Sequence, residues 1–154
     1  MKLNLKHTSH SVGQNAYHLV WKPYLAKPIF KNLHFRKACE GSLKLTALEH
    51  GFKIYELQVQ PDHIHLFVEC PSTMSVSKAI QLFKGRSSRS LRRNFSYLAT
   101  EKRLWSKGKF FRSVGNVSAD VIKNYIAHSQ GSWSLPDNKI PSYYHQRRLT
   151  SFSS

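Results

Sequence analysis

Two histidines near the middle of the chain have a spacing that would let them share a ligand. His63 and His65 flank Ile64 in a segment, 63–70, that alternates in the way typical of a β-strand. Alternate strand residues project to the same face, about 6.6 to 6.8 Å apart. Two imidazoles at this spacing can converge on one divalent metal ion, with nitrogen–metal bonds of about 2.1 Å. The simpler alternative is a pair of half-exposed histidines on a sheet edge, because the pattern is short and common.

A tyrosine on a predicted helix is the second candidate. The helix covers about 118–130, with Ser118 as its N-cap, and one apolar stripe contains Val121, Ile122, Tyr125 and Ile126. Such a tyrosine is ordinarily a core residue. Its hydroxyl can also attack a phosphate when its proton is removed and a metal polarises the phosphate. A phosphotyrosine would conserve the energy of the broken bond, so a strand could be cut and rejoined without ATP.

The charge of the chain points to a polyanionic partner. Among 154 residues, 24 are Lys or Arg and 8 are Asp or Glu, which gives a net charge of +16. Nucleic acid fits this charge better than a membrane surface, because the basic residues are spread along the chain and not collected on one amphipathic helix. Aromatic residues between them (Trp105, Phe110 and Phe111) suit base stacking. The candidate DNA contacts are Lys78, Lys84, Arg86, Arg89, Arg92, Arg93, Lys109 and Arg112.

The remaining periodicity predicts the elements that position these side chains. Strands are expected at 16–22, 52–60, 63–70 and 110–114, and helices at 33–50 and 75–93. This order is the βαββαβ pattern of a ferredoxin-like α+β fold, an antiparallel sheet with helices on one face and the other face open. The helix carrying Tyr125 is an addition at the C-terminal end.

Composition and length predict one domain inside the cell. Residues 1–14 form a basic N-terminal arm, 15–130 the domain, and 131–154 an extension with the composition of a flexible tail. The two cysteines, Cys39 and Cys70, have neither metal-site nor disulfide-framework spacing. No membrane-spanning or secretory segment is visible. We therefore expect a cytoplasmic protein, and the family resemblance described next implies a prokaryotic one, located at the nucleoid when it is bound to DNA.

Four blocks of the sequence together resemble a known family. The segment Gln60-Pro61-Asp62-His63-Ile64-His65-Leu66-Phe67 resembles the His-hydrophobic-His (HUH) motif of the single-tyrosine transposases of small insertion sequences. Similar blocks are Tyr17-His18-Leu19-Val20-Trp21, Phe83-Lys84-Gly85-Arg86-Ser87, and Ser113 to Ser118 followed by Val121 to Ile126. They occur in the family's order over about 15–130, and it is the combination that is specific.

The resemblance implies a function in some detail. Members of this family are ferredoxin-like homodimers whose active sites are shared between subunits, with the histidines from one and the tyrosine helix from the other. With Mg²⁺ or Mn²⁺ they cleave single-stranded DNA at the ends of a mobile element, which they recognise through DNA hairpins. A 5′-phosphotyrosine forms and a 3′-hydroxyl is released. Carried over, His63 and His65 are metal ligands and Tyr125 is the nucleophile.

One position departs from the family pattern. The usual third metal ligand is a glutamine four residues after the tyrosine, where this chain has Ser129. On an ideal helix His128 lies about 60° from Tyr125 and Gln130 about 140°. Helical geometry therefore favours His128, whereas residue type favours Gln130, which a one-residue bulge could bring into place. We take Gln130 as the ligand and His128 as the alternative.

Two other functions remain compatible with the sequence. A domesticated nuclease acting on repeated genomic hairpins would use the same residues without mobilising an element. A non-catalytic module would bind single-stranded nucleic acid on its sheet without needing a metal. The DNA flanking the gene distinguishes the first of these from a transposase, and metal dependence distinguishes the second.

Overall fold

A computed structural model describes residues 5–7, 12–115, 117–118, 120–121 and 124. Their strands pair antiparallel throughout, and short 3-10 turns cover Tyr24–Ala26 and Ile29–Lys31. The strands are β1 (Lys6–His7), β2 (Val12–Gly13), β3 (Ala16–Trp21), β4 (Lys53–Gln60), β5 (His63–Glu69) and β6 (Phe110–Val114), and the helices are α1 (Leu33–His50), α2 (Val76–Asn94) and α3 (Ser96–Ala99).

The main sheet has the strand order β4-β5-β3-β6. With α1 between β3 and β4, and α2 between β5 and β6, the chain follows the βαββαβ order of a ferredoxin-like fold. The predicted α+β class and antiparallel sheet are confirmed. Of the predicted helix over 118–130, the described backbone is helical at Asp120, Val121 and Asn124, and Tyr125 itself lies outside the described residues.

The main core lies between the sheet and the helices α1 and α2. Strand residues Leu19, Trp21 and Ile64 are fully buried there, with Leu43 from α1 and Phe83 from α2. Both helices have the apolar periodicity that such a layer requires. The cysteines Cys39 and Cys70 are also buried in this core, and they form no disulfide bond with each other.

Polar side chains and a glycine set the ends of the helices. The Asn32 side chain accepts hydrogen bonds from the backbone N–H groups of His34 and Phe35, and Ser75 accepts one from Lys78 at the start of α2. Gly51 ends α1 in the left-handed region, at φ 73°. The helix predicted over 33–50 is therefore confirmed, and Gly51 is its left-handed C-terminal cap.

A pair of alanine substitutions tests the role of Gly51. We expect Gly51→Ala to destabilise the protein by about 1 kcal/mol, because a Cβ is disfavoured at positive φ. Gly41 is the matched control: it lies inside α1 and an added Cβ would meet no atom within 4 Å. Gly41→Ala should stabilise by about 0.5–1 kcal/mol. Urea unfolding measures both, and equal shifts would contradict the assignment of Gly51 as a conformational stop.

The second face of the sheet is more covered than the sequence indicated. On β5, Phe67 and Glu69 are each only 1% exposed although their side chains point away from the main core. Phe67 packs with Ala16 and Val117 in a second apolar cluster, against which Val121 also lies. The expectation of an open face was therefore wrong for this half of the sheet, because residues after β6 return across it.

Some local structure was not predicted. Strands β1 and β2 pair with each other inside the segment predicted as an arm, and the two 3-10 turns lie in the proline-containing segment between the first predicted strand and the first predicted helix. The short helix α3 was also missed. The predicted extension, 131–154, lies outside the described residues. None of the helices described is long and apolar enough to cross a membrane.

Candidate active site

The two histidines lie on an interior strand next to a tight turn. Pro61 and Asp62 form a two-residue turn between β4 and β5, since Gln60 pairs with His63 across it. Strand β5 is flanked by β4 and β3, so the edge-strand alternative is wrong. Ile64 is buried in the main core, which turns His63 and His65 together to the opposite face.

The imidazole rings of this pair are close and nearly perpendicular. Their centroids are 4.6 Å apart, with an angle of 86° between the ring planes. His65 is 7% exposed and His63 is half-buried. The pair thus forms a small nitrogen-rich site at the beginning of β5 and at the boundary of solvent.

Each ring has its Nδ1 atom engaged by a neighbour. The Nδ1 of His63 lies 2.7 Å from a carboxylate oxygen of Asp62. The Nδ1 of His65 lies 3.4 Å from the Nε2 of His18 on β3, and these two rings are stacked with 7° between their planes. Both contacts fix ring orientation, because a flipped ring would lose its partner.

Electrostatics keep the buried part of the site neutral. Burial, reinforced by the neighbouring His63 and His18, lowers the pKa of His65 to about 2. Burial and the charge of Arg112 lower the pKa of His18 to about 3. For Asp62, burial would raise the pKa, but the hydrogen bond and charge of His63 and the charge of Lys22 outweigh it and hold the pKa below its ordinary value. At neutral pH the site therefore combines neutral buried imidazoles with a carboxylate.

Other polar side chains share the histidine face. Across the sheet, Gln58 pairs with His65 and Gln60 pairs with His63, and directly opposed residues of adjacent strands lie on one face. On the other side, Arg112 of β6 pairs with His18 of β3. The site is therefore bordered by amides on one side and by a guanidinium on the other.

The two imidazoles suit a divalent metal ion, provided that one further ligand completes the site. Neutral imidazoles are metal ligands, and hydrogen bonding of the second ring nitrogen is the usual way in which proteins orient them. Among the described residues, no group of three or more His, Cys, Asp or Glu side chains is arranged to hold a metal ion. A further His, Cys, Asp or Glu ligand beside His63 and His65 would therefore come from outside the described residues or from a second copy.

The predicted residues of the tyrosine helix cannot be located in the same way. Tyr125, Gln130 and His128 lie outside the described residues. The chain leading to them is well anchored, since Gln14 and Val117 exchange two hydrogen bonds of 3.1 and 3.0 Å. The Ser118 hydroxyl accepts a hydrogen bond from the backbone of Val121 at 3.4 Å, as expected for its predicted N-cap role.

The predicted DNA contacts divide between two faces of the molecule. Arg112 is exposed on β6, in register with His18, whereas the others lie on or beside α2. Arg86 pairs with Glu49 of α1, and Arg92 donates to the backbone oxygen of Glu101. The exposed members on α2 are Lys78, Arg89 and Arg93, and the half-buried ones are Lys84, Arg86 and Arg92, with Lys109 half-buried before β6.

A basic pocket of about 400 Å³ lies between α2 and the segment 103–109. Lys84 lies at its wall, where its ammonium group donates to the carbonyl oxygens of Ser106 and Gly108. Burial and the nearby Lys109 lower the pKa of Lys84 to about 8. The charged side chains lining the pocket are all basic: Lys84, Arg92, Arg103, Lys107 and Lys109.

The aromatic residues near this pocket do not all suit base stacking. Trp105 is 7% exposed and packs against Trp21 and Phe30, and its indole N–H donates to the Ser87 hydroxyl. Its predicted stacking role was therefore wrong, because the ring belongs to the main core. Phe111 is 43% exposed and remains accessible.

Two residues of the site were missed by the sequence analysis. Asp62 and His18 appeared there only within the blocks that resemble the family, and neither was given a role of its own. Strand alternation does place His18 on the face opposite Leu19 and Trp21. Its partnership with His65, however, depends on the pairing of β3 with β5, which no local pattern reveals.

The comparisons with known proteins agree with this architecture. Residues 11–129 match the family model described as transposase, IS200-like. The curated transposase of insertion sequence element IS200 from Salmonella typhimurium is 31% identical over 126 residues, which are 80% of this chain and 82% of the relative. The chain belongs to the IS200-like transposase family. The ISDra2 transposase TnpA of Deinococcus radiodurans is 24% identical over 105 residues, 68% of this chain and 73% of that protein.

Solved structures share the fold of this IS200-like chain. A transposase crystal structure from Deinococcus radiodurans superposes with a TM-score of 0.66 at 21% identity, over 80% of this chain and 96% of that one. A REP-associated tyrosine transposase bound to a REP hairpin superposes with a TM-score of 0.51 at 11% identity, over 97% of this chain and 90% of that one. Both likenesses support the ferredoxin-like architecture of the family member described above.

Proposed function

We propose that this IS200-like transposase cleaves and rejoins single-stranded DNA at the ends of an insertion sequence, through a 5′-phosphotyrosine and with a divalent metal. The observation that carries the proposal is the pair His63 and His65, held 4.6 Å apart between ring centroids at the start of β5. Family membership supplies the reaction class, and this pair supplies a site for it.

In the proposed reaction the Tyr125 oxygen attacks the scissile phosphorus. The phenol loses its proton to solvent or to a neighbouring base, the new oxygen–phosphorus bond joins Tyr125 to the 5′ side, and the bond to the 3′ oxygen breaks. That oxygen takes up a proton and leaves as a 3′-hydroxyl. A Mg²⁺ or Mn²⁺ ion held by His63 and His65, with Gln130 or alternatively His128, would polarise the phosphate. Attack by another 3′-hydroxyl reverses the steps and rejoins the strand.

Arg112 is suited to hold the phosphate of the same strand. It is exposed and lies opposite His18, on the face that carries the histidine pair. A guanidinium binds a phosphate through paired hydrogen bonds. We assign it the contact with the scissile strand, and we assign the residues on α2 to DNA at a distance from the chemistry.

The proposed partner of the α2 surface is a DNA hairpin. The REP-associated neighbour is bound to a REP hairpin, and the charged side chains that line the basic pocket beside α2 are all positive. Basic side chains gain affinity for DNA by releasing counterions from its phosphates. The homodimer with shared active sites belongs to this proposal, because the family resemblance implies it.

Charge removal at the pocket tests this assignment. We expect the double variant Lys107→Gln, Lys109→Gln to bind hairpin DNA more weakly than the wild type. The slope of the logarithm of the binding constant against the logarithm of the salt concentration should fall in magnitude by about 2. The control is Lys37→Gln, Lys44→Gln, which removes the same charge from exposed positions of α1. Fluorescence anisotropy at several salt concentrations measures the slope. Equal losses in both double variants would show a general charge effect and contradict a pocket contact.

A domesticated nuclease acting on genomic hairpins is a second candidate, favoured by the REP-bound structural neighbour. The chemistry would be the same, and only the DNA would differ. Hairpins at both ends of a short element around the gene would support transposition. Scattered copies of one hairpin across the genome, without element ends, would support the nuclease.

The deciding experiment incubates the full chain with single-stranded DNA from the flanks of its gene. With Mn²⁺ we expect a covalent protein–DNA adduct that survives SDS and a free 3′-hydroxyl that a polymerase can extend. Without metal, or with duplex DNA, we expect neither. Binding without any adduct, unaffected by a chelator, would instead identify a non-catalytic binding module.

A further inference from the structure

We propose that Asp62 and His18 are positioning residues: Asp62 selects the tautomer of His63, and His18 holds the ring of His65, so that both rings direct Nε2 to the metal. The inference rests on the proposed metal site and adds residues that act through its ligands. The geometry that supports it is of the same kind at both histidines. Each histidine of the pair has its Nδ1 atom in contact with one neighbouring side chain, and the two neighbours come from different elements.

The contact with Asp62 determines the tautomer of His63. A carboxylate only accepts hydrogen bonds, so the Nδ1 of His63 must carry the proton in the 2.7 Å contact. The Nε2 atom of a neutral His63 then carries the lone pair. Because Asp62 is in the turn immediately before β5, the carboxylate and the ring are positioned by the same piece of backbone.

The contact with His18 allows two assignments for His65. Two neutral imidazoles 3.4 Å apart, Nδ1 to Nε2, share one proton between those atoms. If His18 donated, His65 would carry its proton on Nε2 and could not offer that atom to a metal. If His65 donates from Nδ1, His18 accepts at Nε2 and carries its own proton on Nδ1. Only the second assignment makes His65 a ligand through Nε2, and it matches the tautomer of His63.

The packing around His18 shows how it can hold the ring of His65. It lies on β3 diagonally from His65, since Val20 is the direct partner of His65 and Phe67 the direct partner of His18. It is 1% exposed, its ring is parallel to that of His65, and Phe110 approaches it edge-on at 6.2 Å. A side chain held on two sides keeps its accepting nitrogen in place, and this limits rotation of His65.

Nitrogen NMR on the metal-free full chain tests the tautomers without any mutation. We expect long-range proton–nitrogen correlations to show Nδ1 protonated and Nε2 unprotonated in both His63 and His65. The exposed His34 serves as an internal reference for a ring in solvent. A proton on Nε2 of either residue overturns the proposal for that residue.

Metal affinity then tests the consequence. Titration with Mn²⁺, followed by paramagnetic resonance of the free ion, should show a 10- to 100-fold loss for Asp62→Ala and for His18→Leu. Asp62→Asn and His18→Asn each keep an accepting oxygen and should recover most of the affinity. Thermal unfolding identifies any variant that is not folded. Since Asp62 is 46% exposed in its side chain, its variants remain informative even if those at the buried His18 do not fold.

The outcomes separate this proposal from the proposed function. Unchanged Mn²⁺ affinity in folded Asp62→Ala and His18→Leu overturns the positioning role, whatever the chain does to DNA. In the opposite outcome, the wild-type chain binds Mn²⁺ and shows the expected tautomers, and the two variants lose Mn²⁺ affinity, but no adduct forms with flanking DNA. That result overturns the transposase chemistry and leaves the positioning role intact.

Discussion

Tyr125→Phe is expected to abolish the covalent protein–DNA adduct while leaving DNA binding almost unchanged. The substitution removes only the hydroxyl oxygen that would form the bond to phosphorus, and removing a nucleophile eliminates the covalent step itself. The measurement is an SDS gel with labelled single-stranded DNA and Mn²⁺, together with anisotropy for binding.

A matched control is available on the surface. Tyr97 on α3 is 60% exposed, and Tyr97→Phe removes the same atom without touching the proposed site. It should form the adduct at the wild-type rate. An adduct that persists in Tyr125→Phe would mean that another residue attacks the phosphate, and the assignment of Tyr125 would be wrong.

Loss of the third metal ligand should have the next largest effect. We expect Gln130→Ala to weaken Mn²⁺ binding and slow adduct formation by at least the 10- to 100-fold typical of a disturbed metal site, and His128→Ala to change neither. Isothermal titration gives the affinity, and a time course gives the rate. The reverse order of effects would make His128 the ligand, in agreement with ideal helix geometry.

Two further glutamines provide the control for this experiment. Gln58 and Gln60 on β4 are paired with His65 and His63, and the Gln60 amide donates to the Gln58 side-chain oxygen at 3.0 Å. Gln60→Ala should leave Mn²⁺ affinity near the wild-type value. If it causes the larger loss, the third ligand belongs to the sheet and the tyrosine helix need not contribute one.

Local sequence patterns were sufficient to predict the layers of the fold. The alternation around Ile64 and Leu66 and the helical spacing that ends at Gly51 were both confirmed, because each reports on burial within one element. The pairing of Phe67 and Ala16 with Val117 was not predictable in this way. It depends on a segment far along the chain returning over the sheet.

The candidate site was likewise predicted only as far as the pattern within one strand determines it. The spacing of His63 and His65 was enough to place both rings on one face. Their neighbours His18 and Arg112 come from strands distant in sequence, and only strand order and register bring them together. The stacking role predicted for Trp105 failed for a related reason, since exposure is decided by the packing of Trp21 and Phe30 around it.

The double hydrogen bond between Gln14 and Val117 has a consequence for the proposed dimer. It ties the chain to its own sheet up to this point, and Ser118 is buried directly after it. Any exchange of the tyrosine helix between two copies therefore has to begin beyond residue 118. Only six residues lie between Ser118 and Tyr125, so this short connection limits which of the two histidine pairs each tyrosine can reach.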